Sequence, residues 1–367
     1  MKILASLIVF EVLLVFVHLA VYATLAAAFG IGRPLLEIFF IVLALTFVSA
    51  TVLSRVYNNK LVEWYYAFSA YWFGLVHFLF IGGLAFFFVL AVSYRFFNVY
   101  PSLPLLGAIC FGVAFLVHCY GTWNSGRAQI TRVKVAIPHL PLSWKGRTIA
   151  FISDVHLGNV RGAHFMARVT KKIAALSPWA LFIDGDLYDG SLCDEKKVIA
   201  PLGSLRLPGG IYFVAGNHEY YLAERTASGF VDALKEVSIR ILHNEKIDLD
   251  GVQLVGVDDK SASKKDDLQK IFDHITIERS APSILLRHAP FDLDMAAAKG
   301  FSLALFGHTH QGQIFPLNFL TKKIYKGYDY GLKNHGATQI YTSSGVGTWG
   351  PPLRLGTRSE IVLIEFS

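Results

Sequence analysis

Five short polar blocks in the carboxy-terminal two thirds of the chain concentrate side chains that bind metals. In order they are Asp154-Val155-His156, Gly185-Asp186-Leu187-Tyr188-Asp189, Gly216-Asn217-His218-Glu219, Arg287-His288-Ala289-Pro290 and Gly307-His308-Thr309-His310. Asp154, His156, Asp186, Asn217, His288, His308 and His310 are the candidate ligands: two carboxylates, one amide and four imidazoles. Oxygen and imidazole donors suit divalent ions such as Mn, Fe or Zn. The absence of Cys from the set argues against a structural zinc site. With one carboxylate shared, the set is large enough for two ions. Ions roughly 3.5–4 Å apart activate water and clamp a phosphate as it inverts. Two carboxylates leave such a pair net positive, which favours an anionic phosphoester. The chemistry implied is metal-dependent phosphoester hydrolysis.

Each block needs an element that delivers it. Apolar runs at 130–137, 148–153, 180–184, 211–215, 239–242, 252–257, 283–287, 302–306, 339–343 and 360–365 predict strands. Helical patterns fall at 161–176, 194–203, 226–237 and 263–275. The blocks sit at the downstream ends of strands, where α/β sheets bind ligands. Gly185, Gly216 and Gly307 each precede a candidate ligand and allow the tight or left-handed backbone that turns it into the crevice. Strands that alternate with helices and then crowd together predict two packed sheets flanked by helices.

The order of the blocks resembles the calcineurin-like metallophosphoesterase family over residues 146–367. The resemblance implies an αββα sandwich with a dinuclear site. It places Asp154, His156 and His310 on one metal, Asn217, His288 and His308 on the other, and Asp186 between them. It makes His218 the catalytic histidine, with Glu219 and Asp189 orienting it and the ligands. Two further stretches, His308 to Ile314 and Ser343 to Arg354, look like a bacterial membrane-associated branch related to UDP-2,3-diacylglucosamine diphosphatases. Gln311 stands where that branch usually has Gly. Arg354 is a candidate phosphate clamp or, equally, a surface ion-pair partner.

The remainder of the chain is of another kind. Residues 1–125 hold five basic and three acidic side chains, and the rest carries +5 of the net +7. Stretches at 4–29, 34–54, 66–93 and 103–122 each supply the ~20 apolar residues that a spanning helix needs. Trp64, Tyr65, Tyr66, Tyr94, Tyr100 and Trp123 near their ends form an interfacial belt. Lys2, Arg55, Lys60, Arg127, Arg132 and Lys134 fall on one side, and Arg33 and Arg95 on the other. This bias predicts a multi-pass protein of the inner (plasma) membrane with its catalytic domain cytoplasmic. Glu11 and His18, seven residues apart, share a helix face and are expected either to meet a partner helix or to line a pocket.

The division expected is a four-helix transmembrane domain at 1–123, a linker with a first strand at 124–146 and a catalytic domain at 147–367. A modest basic excess without an arginine-rich run excludes nucleic acid as a partner. Cys110, Cys119 and Cys193 form no disulfide framework. Residues 315–333 mix aromatics with Lys and are expected either to rest on lipid headgroups or to form a packed loop. The substrate expected is a lipid-linked phosphate or diphosphate beside the lipid bilayer. The alternatives are a soluble nucleotide or phosphoprotein, or a non-catalytic scaffold that only binds metal.

Overall fold

The computed structural model describes residues 2–226, 229–262 and 264–366 of the chain. They fall into two compact units, Met1–Trp123 with Gly350–Leu353, and Asn124–Trp349 with Arg354–Ser367.

The first unit is helical: α1 (Lys2–Phe29), α2 (Pro34–Ala44), α3 (Thr46–Ser54), α4 (Lys60–Phe97) and α5 (Leu103–Ser125). Leu7–Phe29, Pro34–Ser54, Lys60–Phe97 and Leu103–Ser125 are long and apolar enough to cross a membrane. The stretch read as one helix over 34–54 breaks at Leu45, where the Thr46 hydroxyl donates to the Leu43 carbonyl and Ser49 to Leu45. Helix α4 extends well past the apolar run at 66–93. Its ends are set by caps: Asn59 accepts the Val62 N–H, and Asn98 closes the helix in the left-handed conformation.

Small residues let these helices approach. A Cβ on Gly82 would lie 3.1 Å from the Cys110 carbonyl, and one on Gly83 would lie 3.0 Å from the Thr24 hydroxyl. Val21, Phe40 and Val76 form a buried centre, while Leu13, Phe16, Phe88 and Leu116 face outward. His18 is an interhelical link. Its Nδ1 donates to the Leu14 carbonyl at 2.7 Å and its Nε2 accepts the Trp72 indole at 2.8 Å. The Glu11 carboxylate oxygens have no hydrogen-bond partner.

The second unit runs β1 (Gln129–Val135), β2 (Thr148–Ile152), α6 (Ala163–Leu176), β3 (Ala180–Asp184), α7 (Glu195–Ile199), β4 (Ile211–Val214), α8 (Asn217–Thr226), α9 (Gly229–Glu236) and β5 (Ile239–Ile241). It continues with β6 (Glu245–Leu249), β7 (Val252–Val257), α10 (Lys265–His274), β8 (Ser283–Arg287), α11 (Leu293–Lys299), β9 (Leu303–Phe306), α12 (Leu317–Ile324), β10 (Gly331–His335), β11 (Thr338–Thr342) and β12 (Glu360–Phe366). One six-stranded sheet has the order β1-β12-β2-β3-β4-β5, the other β10-β11-β9-β8-β7-β6. β2 to β5 are parallel, as are β7, β8, β9 and β11, so within each sheet the strands that carry ligand blocks, β2, β3 and β4 in one and β8 and β9 in the other, end on the same edge.

Three cores explain the layering. Phe151, Phe182, Leu254, Leu286 and Leu305 pack between the sheets. Val169 and Ile173 of α6 and Leu234 of α9 cover the first sheet. Leu268 and Phe272 of α10 and Ala296 of α11 cover the second. The result is the expected αββα sandwich, preceded by helices of membrane-spanning length. Five elements lie outside the pattern read from sequence: β6, β10, α8, α11 and α12.

Candidate metal centre

The seven candidate ligands come from strand ends and the turns that follow. Asp154 and His156 lie just beyond β2, Asp186 beyond β3, Asn217 at the start of α8 after β4, His288 directly after β8, and His308 and His310 after β9. Asp154, His156, Asp186, His308 and His310 all have φ between +47° and +67°. A left-handed backbone at a non-glycine residue costs about 1 kcal/mol or more, and it persists where surroundings over-determine it. Five ligands out of seven in that region mark the crevice as a place where geometry is imposed against local preference.

The flanking glycines serve two purposes. Gly185, at φ +72°, is left-handed as expected, and a Cβ there would run into the His288 ring. Gly216 is not left-handed. It is needed for space, because a Cβ would enter the Asp186 carboxylate.

The ligands converge in three overlapping groups: Asp154, His156 and His310; His156, Asp186 and His218; and Asp186, His288 and His308. His310 Nε2 is 3.4 Å from Asp154 Oδ1, and His288 Nε2 is 3.1 Å from Asp186 Oδ2. Asp186 Oδ2 also lies 3.9 Å from His156 Nε2, so this carboxylate stands between the first and third groups. Asn217 Oδ1 is buried with no hydrogen-bond partner, and the buried His288 Nε2 faces the Asp186 and Asp154 carboxylates. The Nε2 atoms of His156 and His310 face one another at 3.0 Å. Carboxylate, amide and imidazole atoms converging in this way are what two divalent cations require. The residues present therefore fit the dinuclear assignment. Asp154, His156 and His310 would hold one ion, Asn217, His288 and His308 the other, with Asp186 shared.

The electrostatics agree. Burial, and then its neighbour His218, holds His156 well below the usual imidazole range; burial and His156 do the same to His310. His308 is lowered to about 4 by burial and His288. These three rings are neutral at physiological pH and keep a lone pair free. Burial works to raise Asp186, but His288 and His218 hold its carboxyl well below the usual range. His288 is the converse: burial lowers it, yet Asp186 and Asp154 keep it well above the ordinary value. Its Nδ1–H is fixed on the Asp184 carbonyl at 2.8 Å, which leaves Nε2 as the coordinating atom once its proton leaves.

Glu219 is wholly buried. Its Oε2 accepts the Asp186 and Gly216 amides and its Oε1 the Tyr188 amide, at 2.9–3.0 Å. Its carboxyl is pushed up to about 7 by burial and by Asp186. It thus shapes the turn that presents Asp186. His218 donates its amide to Asp186 Oδ1 at 2.9 Å, and its Nδ1 donates to the Asp189 carbonyl at 2.7 Å. Asp189 therefore orients His218 through its backbone, whereas its carboxylate accepts the Ser191 amide and hydroxyl.

Arg354 departs from both sequence expectations. It is fully buried, and its guanidinium donates to the carbonyls of His310 at 3.1 Å and Gly347 at 2.7 Å and to that of Ser344. Burial brings it down to about 10. An enclosed guanidinium committed to backbone oxygens and to His310 Nδ1 at 3.3 Å is beyond the reach of substrate and buttresses the His310 turn instead.

The sequence reading missed the cleft beside the centre. It encloses about 810 Å³ and is lined by Asn217 and His308, by Tyr221, Phe291, Ile324 and Tyr325, and by Asp259 and Arg287. Phe291 and Tyr325 lie with ring centroids 5.1 Å apart, and each approaches the His308 ring. No shared spacing marks these rim residues, because they come from separate places in the chain: Tyr221 from α8, Phe291 from the turn before α11, and Ile324 and Tyr325 from the end of α12.

Paired sheets delivering a shared carboxylate, an amide and four imidazoles to one crevice define a metal-dependent phosphoesterase. A calcineurin-like phosphoesterase family model matches residues 147–312. An uncharacterized metallophosphoesterase of Helicobacter pylori (strain J99) is 34% identical over 261 residues, covering 70% of this chain and 69% of that protein. One from Campylobacter jejuni is 35% identical over 65% of this chain and 63% of its own length. A Bos taurus transmembrane protein with metallophosphoesterase domain is 34% identical over 71% of this chain and 62% of its own length. The chain belongs to the calcineurin-like metallophosphoesterase family.

Proposed function

We propose that this chain is a membrane-anchored phosphoester hydrolase that works at the cytoplasmic face of the inner (plasma) membrane on a lipid-linked phosphate or diphosphate. The observation that carries the reading is the cleft of about 810 Å³, lined both by the ligands Asn217 and His308 and by Phe291, Ile324 and Tyr325. Such a cleft suits a substrate with an anionic head and an apolar body. Four helices of membrane-spanning length in the same chain support a substrate held in the bilayer. The basic bias of Lys2, Arg55, Lys60, Arg127, Arg132 and Lys134 over Arg33 and Arg95 supports the cytoplasmic orientation. The stretches 308–314 and 343–354 support kinship in substrate chemistry with UDP-2,3-diacylglucosamine diphosphatases.

Two divalent ions, of which Mn is the first to test, would supply Lewis acidity and an activated water. The chain's own residues do the rest. Asp186 holds the ligand groups together, and Glu219 fixes the turn that carries it. His218 stands 3.9 Å from Asp186 Oδ2 with its Nδ1–H committed to the Asp189 carbonyl. That leaves Nε2 to bring a proton to the departing oxygen. The cleft orients the substrate body.

The test is turnover by the full-length protein in mixed micelles with Mn, comparing a phospholipid monophosphate or a lipid diphosphate with a soluble aryl phosphate and a nucleotide. A preference for the lipid substrates supports the proposal. Faster hydrolysis of the nucleotide at matched concentration would sink it.

A further inference from the structure

Helix α12 breaks the usual rule for surface helices. Amphipathic helices bury their apolar stripe, and eight residues are too few to hold a helix by themselves. Yet α12 contains no buried residue. Leu317, Leu320 and Ile324 recur at helical spacing and stand 46%, 55% and 54% exposed. Phe319 is more exposed still, with its ring against Phe315 at 5.8 Å between centroids. Lys322, Lys323 and Lys326 are exposed around the same segment.

The segment is held from both ends by the metal centre's own surroundings. Before the helix, the Phe315 amide donates to the Leu355 carbonyl at 2.9 Å. After it, Tyr325 packs on Phe291 at the rim of the cleft. Gln313, three residues after His310, exchanges a pair of hydrogen bonds with the Trp349 backbone at 2.9 and 3.0 Å. Trp349 as a whole is left 61% exposed. A rigid mount thus presents apolar side chains, a tryptophan and three lysines outward beside the site.

We propose that α12 is an interfacial helix that docks on an anionic lipid surface and brings lipid-borne phosphate to the mouth of the cleft. The charge is complementary: lysines flanking an apolar stripe are attracted to acidic headgroups while the stripe enters the acyl boundary. Trp is the side chain best suited to that boundary, with an apolar body and one polar N–H. Ile324, Tyr325 and Lys326 both end this segment and line the cleft, so the docked surface continues into the site. The route for substrate rests on the function proposed above, whereas lipid contact by the helix is measurable without turnover.

The experiment uses the full-length chain in proteoliposomes of phosphatidylcholine alone or with phosphatidylglycerol. Hydrogen exchange of the amides at 317–326 is followed by mass spectrometry. Exchange is expected to slow by about tenfold or more when phosphatidylglycerol is present. Leu317→Glu/Leu320→Glu should lose that protection while hydrolysing a soluble aryl phosphate at the unaltered rate. Lys322→Glu/Lys323→Glu keeps the stripe and should lose only the dependence on phosphatidylglycerol. Equal exchange in both vesicles overturns the proposal. So does protection that grows with protein-to-lipid ratio, which assigns the face to a second copy of the chain. Protection without hydrolysis of any lipid phosphate upholds the docking and refutes the lipid-substrate reading. Lipid hydrolysis without protection does the reverse.

Discussion

Glu219 Oε2 accepts the backbone N–H of Asp186 at 3.0 Å, across 33 residues of sequence. The carboxylate at the start of α8 therefore holds in place the turn whose side chain joins the two ligand groups. Glu219→Gln keeps the shape but turns an amide N–H toward at least one backbone donor. Leaving a buried donor unpaired costs about 1–3 kcal/mol. The thermal midpoint of the metal-free protein should fall by roughly 2–10 °C, with activity reduced although every ligand remains. Calorimetry beside a turnover assay checks both, and an unaltered midpoint would refute the role.

Asp186→Asn removes the shared charge. It should weaken binding of both ions and lower turnover by about a hundredfold or more. Metal content by mass spectrometry separates this from misfolding. Two ions retained at full occupancy would show that Asp186 does not bridge.

His218→Asn leaves every candidate ligand untouched. Turnover should drop by about 10²–10⁴, more for alkyl esters, whose leaving oxygen needs a proton, than for nitrophenyl esters, which leave as stable anions. An equal loss on both would remove the proton-donor role.

Metal uptake should depend on pH with a defined sign. Asp154 is pushed up to about 6, chiefly by burial. Above that pH the carboxylate is free, whereas below it a proton must be expelled before a cation binds. From this group alone, apparent affinity should fall about fourfold between roughly pH 7.5 and pH 5.5. Titration calorimetry with Mn in buffers of different ionisation heat measures affinity and released protons together. An affinity that stays level across that window would rule this out.

Arg354→Lys tests the buttress against the clamp. A lysine cannot match the planar fork that serves several carbonyls at once, so stability should fall by about 2–4 kcal/mol with KM for phosphate substrates unchanged. A raised KM in a fully stable variant would restore the clamp.

The ligand set was legible because each member follows an apolar run that ends at a crevice edge. Asp154 after Ile149–Ser153 and His308 after Leu303–Phe306 are examples. The sheets followed from the same runs. What stayed hidden has physical causes. Helix α8 begins within the Asn217-His218-Glu219 block, and its first turn is polar because its side chains serve the centre, so no apolar stripe announces it. β6 and β10 are edge strands that alternate with exposed charged or polar residues and read as loop. The burial of Arg354 was invisible because its partners are backbone carbonyls, which every sequence possesses. The contact of His218 Nδ1 with Asp189 was hidden for the same reason, because it is made to a backbone carbonyl.

Gly185 and Gly216 have a consequence for how this catalyst can diversify. A methyl group at either position collides with His288 or Asp186, so the floor of the pocket tolerates no tinkering. Novelty must arise at the brim, around Phe291 and along 315–326, where most side chains are exposed and replaceable. A randomised library aimed at the brim should yield altered preferences, and one aimed at the floor only inactive protein.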